Sequence, residues 1–165
     1  MIDIVQGLKN FARDEGLELR ETDINLSMEE TIRIVWNELK YKCEIHKDLG
    51  DIPLFRSYPG QLKQVFMNLL TNAAHSIPER GDIWIKTWVD GTHLKVSVRD
   101  NGTGMSSAVQ ERIFEPFYTT KPVGHGTGLG LAICHGIIKT HKGRIEVHST
   151  KDEGTQFVLE IPMDL

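Results

Sequence analysis

Residues 61–77, QLKQVFMNLLTNAAHSI, constrain this chain more than any other stretch. At 100° per residue, Gln61, Gln64, Asn68, Asn72 and His75 fall within an arc of roughly 80°. Leu62, Val65, Phe66, Leu69, Leu70, Ala73 and Ile77 crowd the opposite side, as a core-facing stripe does. An ordinary wetted face carries Lys, Glu and Arg; this one carries four amides and a histidine. Asn is a poor helix former, and here two lie one turn apart in mid-helix. Two readings follow: a plain solvated face, or a helix lining a polar site with its amides aimed at a ligand or metal.

The rest of the chain frames that helix. Residues 1–15 have a short apolar seam (Ile4, Leu8, Phe11) and read either as a terminal helix folded on its own domain or as the end of a longer bundle helix. Residues 22–26 are compatible with a short strand. Ser27-Met-Glu-Glu30 has the form of a capping box, opening a helix to about Lys40 with Ile32, Val35, Trp36 and Leu39 inward. A strand is expected over 43–47. Alternating strands at 82–89 and 93–99 are joined by a turn at Asp90-Gly91. Periodicity then fails from 105 to 126, as in a functional loop or lid that is mobile without ligand. A helix over 127–140 and a hairpin, 144–149 with 155–161, close the chain. Helices and antiparallel hairpins are segregated, which predicts an α+β two-layer sandwich.

With 165 residues, the chain fits one domain with a sizeable core. Its net charge of −4 gives no case for nucleic acid or an anionic membrane. Any polyanion must be held by backbone amides and a few side chains. The two cysteines have no metal spacing and fit a reducing compartment. No apolar run is long enough to span a bilayer.

Three motifs carry chemistry. Asp100-x-Gly102-x-Gly104 ends a strand, where the glycines admit a tight turn and close approach of a planar group. An ionised carboxylate there accepts but does not donate, which suits the exocyclic amine of adenine and disfavours guanine's oxygen. Taken alone, the same residues also describe a glycine turn with a capping Asp. Gly124-His-Gly-Thr-Gly-Leu-Gly-Leu131 opens a helix, where unobstructed backbone N–H groups make an anion cradle. It matches neither a P-loop nor a dinucleotide fingerprint. Asn68 and Asn72 complete the set: a neutral amide oxygen can ligate Mg²⁺ without repelling a triphosphate.

N-L-L-x-N-A at 68–73, D-x-G-x-G-M at 100–105, F-E-P-F at 114–117 followed by T-T-K, and G-T-G-L-G-L at 126–131 resemble, in order and spacing, the four boxes of sensor histidine kinases. Gly154-Thr155 with Phe157 resembles the closing G-T-x-F. The resemblance covers residues 21–165 and implies the catalytic, ATP-binding domain: an α/β sandwich with a mixed, mostly antiparallel sheet and a mobile ATP lid. That fold is shared with heat-shock chaperone, type II topoisomerase and mismatch-repair ATPases.

Carried over residue by residue, the resemblance implies Asn72 on Mg²⁺, Asn68 and His75 near the phosphates, and Asp100 on the adenine amine with Thr155 supporting it through water. Gly102 and Gly104 form the first glycine turn; Gly126, Thr127, Gly128 and Leu129 belong to the phosphate cradle. Lys121 and His125 would be lid residues, although His125 stands where Lys or Arg is commoner. Asn68, Asn72 and Lys121 are the candidate catalytic residues. Hydrolytic branches of the superfamily place a general-base Glu four residues before the metal Asn. Asn68 cannot be that base, which favours phosphoryl transfer over hydrolysis.

None of the seven histidines lies in an H-E-x-x-N-P-like acceptor context. The resemblance therefore implies a fragment: residues 1–20 as a remnant of the second dimerisation helix, 21–165 as the catalytic domain, and the acceptor histidine on a separate domain. It further implies ATP and Mg²⁺ as cofactors, a downstream response regulator as partner, and a homodimeric parent. The domain would be cytoplasmic, within a parent that could be membrane-anchored, and the fragment itself monomeric. Two other functions stay open at this point: a nucleotide-gated interaction module without catalysis, and a serine kinase or ATPase of the same superfamily.

Overall fold

The computed structural model describes residues 18–121 and 128–164. The helix expected over 1–15 lies outside them, as do nearly all of the proposed remnant 1–20 and the site residues His125, Gly126 and Thr127.

The chain order is β1 (Arg20–Thr22), α1 (Ile24–Leu39), β2 (Cys43–Leu49), β3 (Phe55–Ser57), α2 (Pro59–Ser76), β4 (Gly81–Asp90), β5 (His93–Asp100), α3 (Ser107–Gln110), α4 (Gly130–Thr140), β6 (Arg144–Thr150) and β7 (Gly154–Pro162). Five strands form one sheet in the order β2-β4-β5-β7-β6. β2 runs parallel to β4, and every other neighbour in that sheet is antiparallel. β1 and β3 pair separately, Thr22 opposite Phe55. One face of the sheet (Ile83, Ile85, Leu94, Val96, Val98, Phe157, Leu159, Ile161) joins the helices in a single core. This is the mixed, two-layer α+β sandwich expected.

α2 is the central helix, packed against α1, α4, β5 and β7. Leu62, Val65, Phe66, Leu69, Leu70, Ala73 and Ala74 are buried along it. Burying each large apolar side chain contributes about 1.5–3 kcal/mol, so the stripe outweighs the roughly 0.7 kcal/mol propensity deficit of each Asn.

Sequence expectation and structure part at several places. The strand expected over 22–26 ends at Thr22, because α1 begins at Ile24. Its N-cap is Asp23, whose carboxylate accepts the Leu26 N–H at 3.1 Å. Starting one turn earlier buries Ile24 and Met28, and Ser27 becomes a buried interior residue rather than the cap. Trp36, expected inward, lies 45% exposed, while Ile24 and Met28 are buried. Thr87, polar by sequence, is 1% exposed while Val89 at the strand end is open. Thr87 Oγ1 donates to Asn25 Oδ1 (2.8 Å) and accepts from the Gly50 N–H (3.0 Å), so its burial leaves no orphan.

His141 is fully buried at the end of α4. Its Nδ1–H donates to the Ile137 carbonyl at 2.8 Å, and Nε2 accepts the Tyr58 N–H at 3.1 Å. Both nitrogens are satisfied only in the neutral ring, and burial pushes its pKa down. The unfolded chain protonates near pH 6.5 where the folded chain does not. The stabilisation is therefore complete above about pH 6.5 and is lost as pH falls below it toward the folded value. Urea unfolding at pH 7.5 and 5.5 should show wild type losing stability at the lower pH, with a smaller loss in His141→Gln. Equal losses would show that His141 does not set the slope.

Candidate functional site

The end of β5 and the last two turns of α2 form the floor of the site. Asp100, the final residue of β5, is 5% exposed. Its Oδ1 accepts the Gly102 N–H at 2.8 Å and the Ser76 hydroxyl at 2.9 Å. Burial raises its pKa, opposed by the bonds from Gly102, Ser76 and the Thr155 backbone. No cation pairs with it among the described residues. The result is an orientated acceptor, held by neutral donors on one oxygen. Sequence reasoning misses Ser76, although it stands one helical turn beyond Asn72.

The first glycine turn is fixed by packing as much as by access. A Cβ on Gly102 would lie 2.5 Å from the Ser76 carbonyl oxygen. Gly104 has φ +65°, and a Cβ there would meet the Thr150 carbonyl oxygen at 2.0 Å. Thr103 N–H donates to the Ser76 carbonyl (2.9 Å), and Asp152 N–H to the Thr103 carbonyl (2.6 Å). The turn is thus clamped between α2 and the β6–β7 turn. Thr155 is buried opposite Asp100. Its hydroxyl is 2.8 Å from Ser149 Oγ, which also accepts the Met105 N–H.

Along α2 the amides diverge. Asn68 Nδ2–H donates to the Gly130 carbonyl (3.1 Å) and reaches Cys134 Sγ (3.6 Å), while its Oδ1 accepts from Gln64 (3.1 Å). Asn68 therefore fastens the first turn of α4 to α2. Cys134 is fully buried and its thiol is pushed up to about 12 by that burial, which makes it a packing residue. The side chain of Asn72, half-buried one turn on, has no hydrogen-bond partner among the described residues. An amide oxygen so placed fits a hard divalent cation.

His75 and Lys121 meet at the rim. Lys121 Nζ donates to His75 Nδ1 at 2.9 Å, and His75 Nε2 lies 3.9 Å from Glu38. Partial burial lowers both pKa values, and Lys121 adds to the depression at His75. A phosphate brought to this corner would favour the charged forms of both.

The segment expected to lack regular structure contains α3, capped by the Ser106 side chain, and the buried Ile113. Phe114 packs on His135, with centroids 5.4 Å apart. Gly128 has φ +70°, and a Cβ there would strike the Phe117 backbone at 2.3 Å, while Phe117 N–H donates to its carbonyl at 2.9 Å. Phe117 itself has φ 67° and an exposed ring. The F-E-P-F stretch is thereby joined to the second glycine stretch through backbone. Leu129 is the N-cap position of α4, and Gly130 faces Asn68. Asp100, Thr155, Gly102, Gly104, Asn68, Asn72, His75, Lys121, Gly128 and Leu129 thus belong to neighbouring elements around one floor.

Residues 57–165 match the family model described as "Histidine kinase-, DNA gyrase B-, and HSP90-like ATPase". The chain is 35% identical over 167 residues to the signal transduction histidine-protein kinase AtoS of Escherichia coli K12, covering 98% of this chain and 27% of that protein. It is 36% identical to sporulation kinase E of Bacillus subtilis, covering 93% of this chain and 21% of the relative. It spans about a fifth to a quarter of the length of these two curated relatives. Among solved structures, the catalytic domain of histidine kinase ThkA superposes with a TM-score of 0.80 at 31% identity, over 90% of this chain and 99% of that one. Full-length ShkA, solved in complex with AMPPNP, superposes at 0.82 with 26% identity, over 98% of this chain and 35% of that one.

Proposed function

Since the chain belongs to the histidine kinase-, DNA gyrase B-, and HSP90-like ATPase family, as a catalytic domain of its sensor histidine kinase branch, we propose that it binds Mg²⁺-ATP and transfers the γ-phosphoryl group to a histidine on a separate helical dimerisation domain. The product would pass the phosphoryl group to a response regulator, within a homodimeric parent in which residues 1–20 lead out of the dimerisation hairpin. The observation that carries the nucleotide reading is Asp100: a buried acceptor with one oxygen tied to Gly102 and Ser76. Its other oxygen would take the adenine amine, with Thr155 lending support. Asn72 would hold Mg²⁺, which screens the phosphate charge when bound.

Phosphoryl transfer asks chiefly for positioning and charge neutralisation. Asn68 supplies position: by its bond to Gly130 it sets the start of α4, whose backbone N–H groups, with Gly126, Thr127, Gly128 and Leu129, would meet the phosphates. Lys121 and His75 would leave one another for the phosphate oxygens, with His125 nearby in the lid. Asn68 is an amide and takes no proton from water, so the acceptor histidine rather than water receives the phosphoryl group.

Labelled ATP with Mg²⁺, supplied with the parent's dimerisation domain as a separate polypeptide, should give an acid-labile, base-stable adduct on that domain. In Asn72→Ala the adduct should fall to background and nucleotide affinity should lose its sensitivity to EDTA. Acid-stable label would favour a serine kinase, and unchanged Mg²⁺-dependent binding in Asn72→Ala would remove the metal assignment.

A further inference from the structure

The sheet face opposite the helices carries a second cluster, remote in character from the nucleotide floor. Glu44 and His46 stand two apart on β2, so both project from that face. The parallel register puts Asp82 of β4 opposite Glu44 and Trp84 opposite His46. One ligand atom from each of Glu44, His46 and Asp82 lies within 4.8 Å of the others. We propose that Glu44, His46 Nε2 and Asp82 form a binding site for a divalent transition-metal ion of the Zn²⁺ class.

Geometry supports it. Oxygen and nitrogen ligands about 2.0–2.2 Å from a tetrahedral ion stand about 3.3–3.5 Å apart. The ligand atoms of the trio all lie within 4.8 Å of one another, close enough to reach that spacing by side-chain rotation, with His46 Nε2 and Asp82 Oδ1 now 2.8 Å apart in a hydrogen bond. An ion would replace the bridging proton, which leaves to solvent, and the exposed Glu44 side chain is free to close the third corner. The ligand types are an imidazole and two carboxylates, a borderline donor set suited to Zn²⁺ rather than Mg²⁺.

The surroundings are those of a held site. The His46 ring is stacked on Trp84 at 5.5 Å and 18°, and Trp84 is itself covered by the Arg99 guanidinium at 4.8 Å. That stack fixes the imidazole plane. Asn101 Nδ2–H donates to Asp82 Oδ2 (3.1 Å), which orients the carboxylate and leaves Oδ1 toward His46. Glu44 and Asp82 also line a cleft of about 470 Å³ whose other walls include Lys40, Lys42 and Arg80. Because Asn101 adjoins Asp100 and accepts the Asp82 N–H through Oδ1 (2.7 Å), an ion here also stiffens the glycine turn of the nucleotide floor.

The test titrates Zn²⁺ into chelator-stripped protein, without nucleotide or Mg²⁺, against a chromophoric competitor. Wild type should bind one equivalent. His46→Gln should weaken binding by about a hundredfold or more and Asn101→Ala by about ten- to a hundredfold, with ATP affinity of His46→Gln kept as the folding control. Co²⁺ in place of Zn²⁺ should show ligand-field bands in wild type that vanish in His46→Gln. No stoichiometric binding, or equal Zn²⁺ affinity in wild type and His46→Gln, overturns the assignment. Neither result bears on phosphoryl transfer, because the metal titration itself contains no nucleotide.

Discussion

Asp100→Ala should weaken ATP binding by about ten- to a hundredfold, the effect of removing one charge-assisted hydrogen bond of roughly 1.5–3 kcal/mol. The carboxylate is held before ligand arrives, by Gly102 and Ser76, so little of its bond is offset by ordering cost. Ser76→Ala should weaken binding less, because Gly102 still holds Oδ1. Asp100→Asn is the finer probe: its amide can donate, so preference for ATP over GTP should narrow. Calorimetry with both nucleotides measures all four proteins. If wild type binds GTP as tightly as ATP, Asp100 does not read the base.

Gly104→Ala should destabilise the fold by about 3 kcal/mol or more. Two costs add: a left-handed backbone at φ +65°, worth about 1–2 kcal/mol for a residue with a side chain, and a collision with backbone rather than with a movable side chain. The Cβ would lie 2.0 Å from the Thr150 carbonyl oxygen, so relief requires parting the turn from β6 and breaking the Asp152–Thr103 bond. Gly136→Ala is the matching control. It sits in α4, where an added methyl would meet nothing within 4 Å, and should stabilise by about 0.5–1 kcal/mol. Urea unfolding of both variants measures the pair. Equal stabilities would mean that the turn is not clamped.

Periodicity is the legible part of this chain. α2, the alternation of β4 and β5, and the closing hairpin all follow from apolar spacing, because burial of one face dominates their energetics. Boundaries are less legible where two polar signals compete: Asp23 and Ser27 both suit an N-cap, and only the burial of Ile24 and Met28 decides. Long-range polar bonds leave no local trace. The Thr87–Asn25 pair, the Asn68–Gly130 bond and the contact of Lys121 with His75 each join residues distant in sequence. Asp100 and the glycine turn are visible as motifs, but Ser76 is hidden among ordinary helix residues. Asn68 and Asn72 look alike in sequence; only the fold separates them, one fastening α4 and the other without a partner among the described residues.

The parallel pairing of β2 with β4 has a consequence for the order in which the molecule assembles. β4 with β5, and β6 with β7, are hairpins whose strands meet across short turns, so their loop-closure entropy is small. β2 reaches β4 only after residues 50–80, with β3 and α2, have been traversed and α2 has docked. Contacts of such sequence separation are slow to form, so the β2 edge should join the sheet after both hairpins have closed. The trio on β2 and β4 comes into being at that step and at no earlier one. A Zn²⁺-class ion taken up during refolding would then time the closing of the last strand.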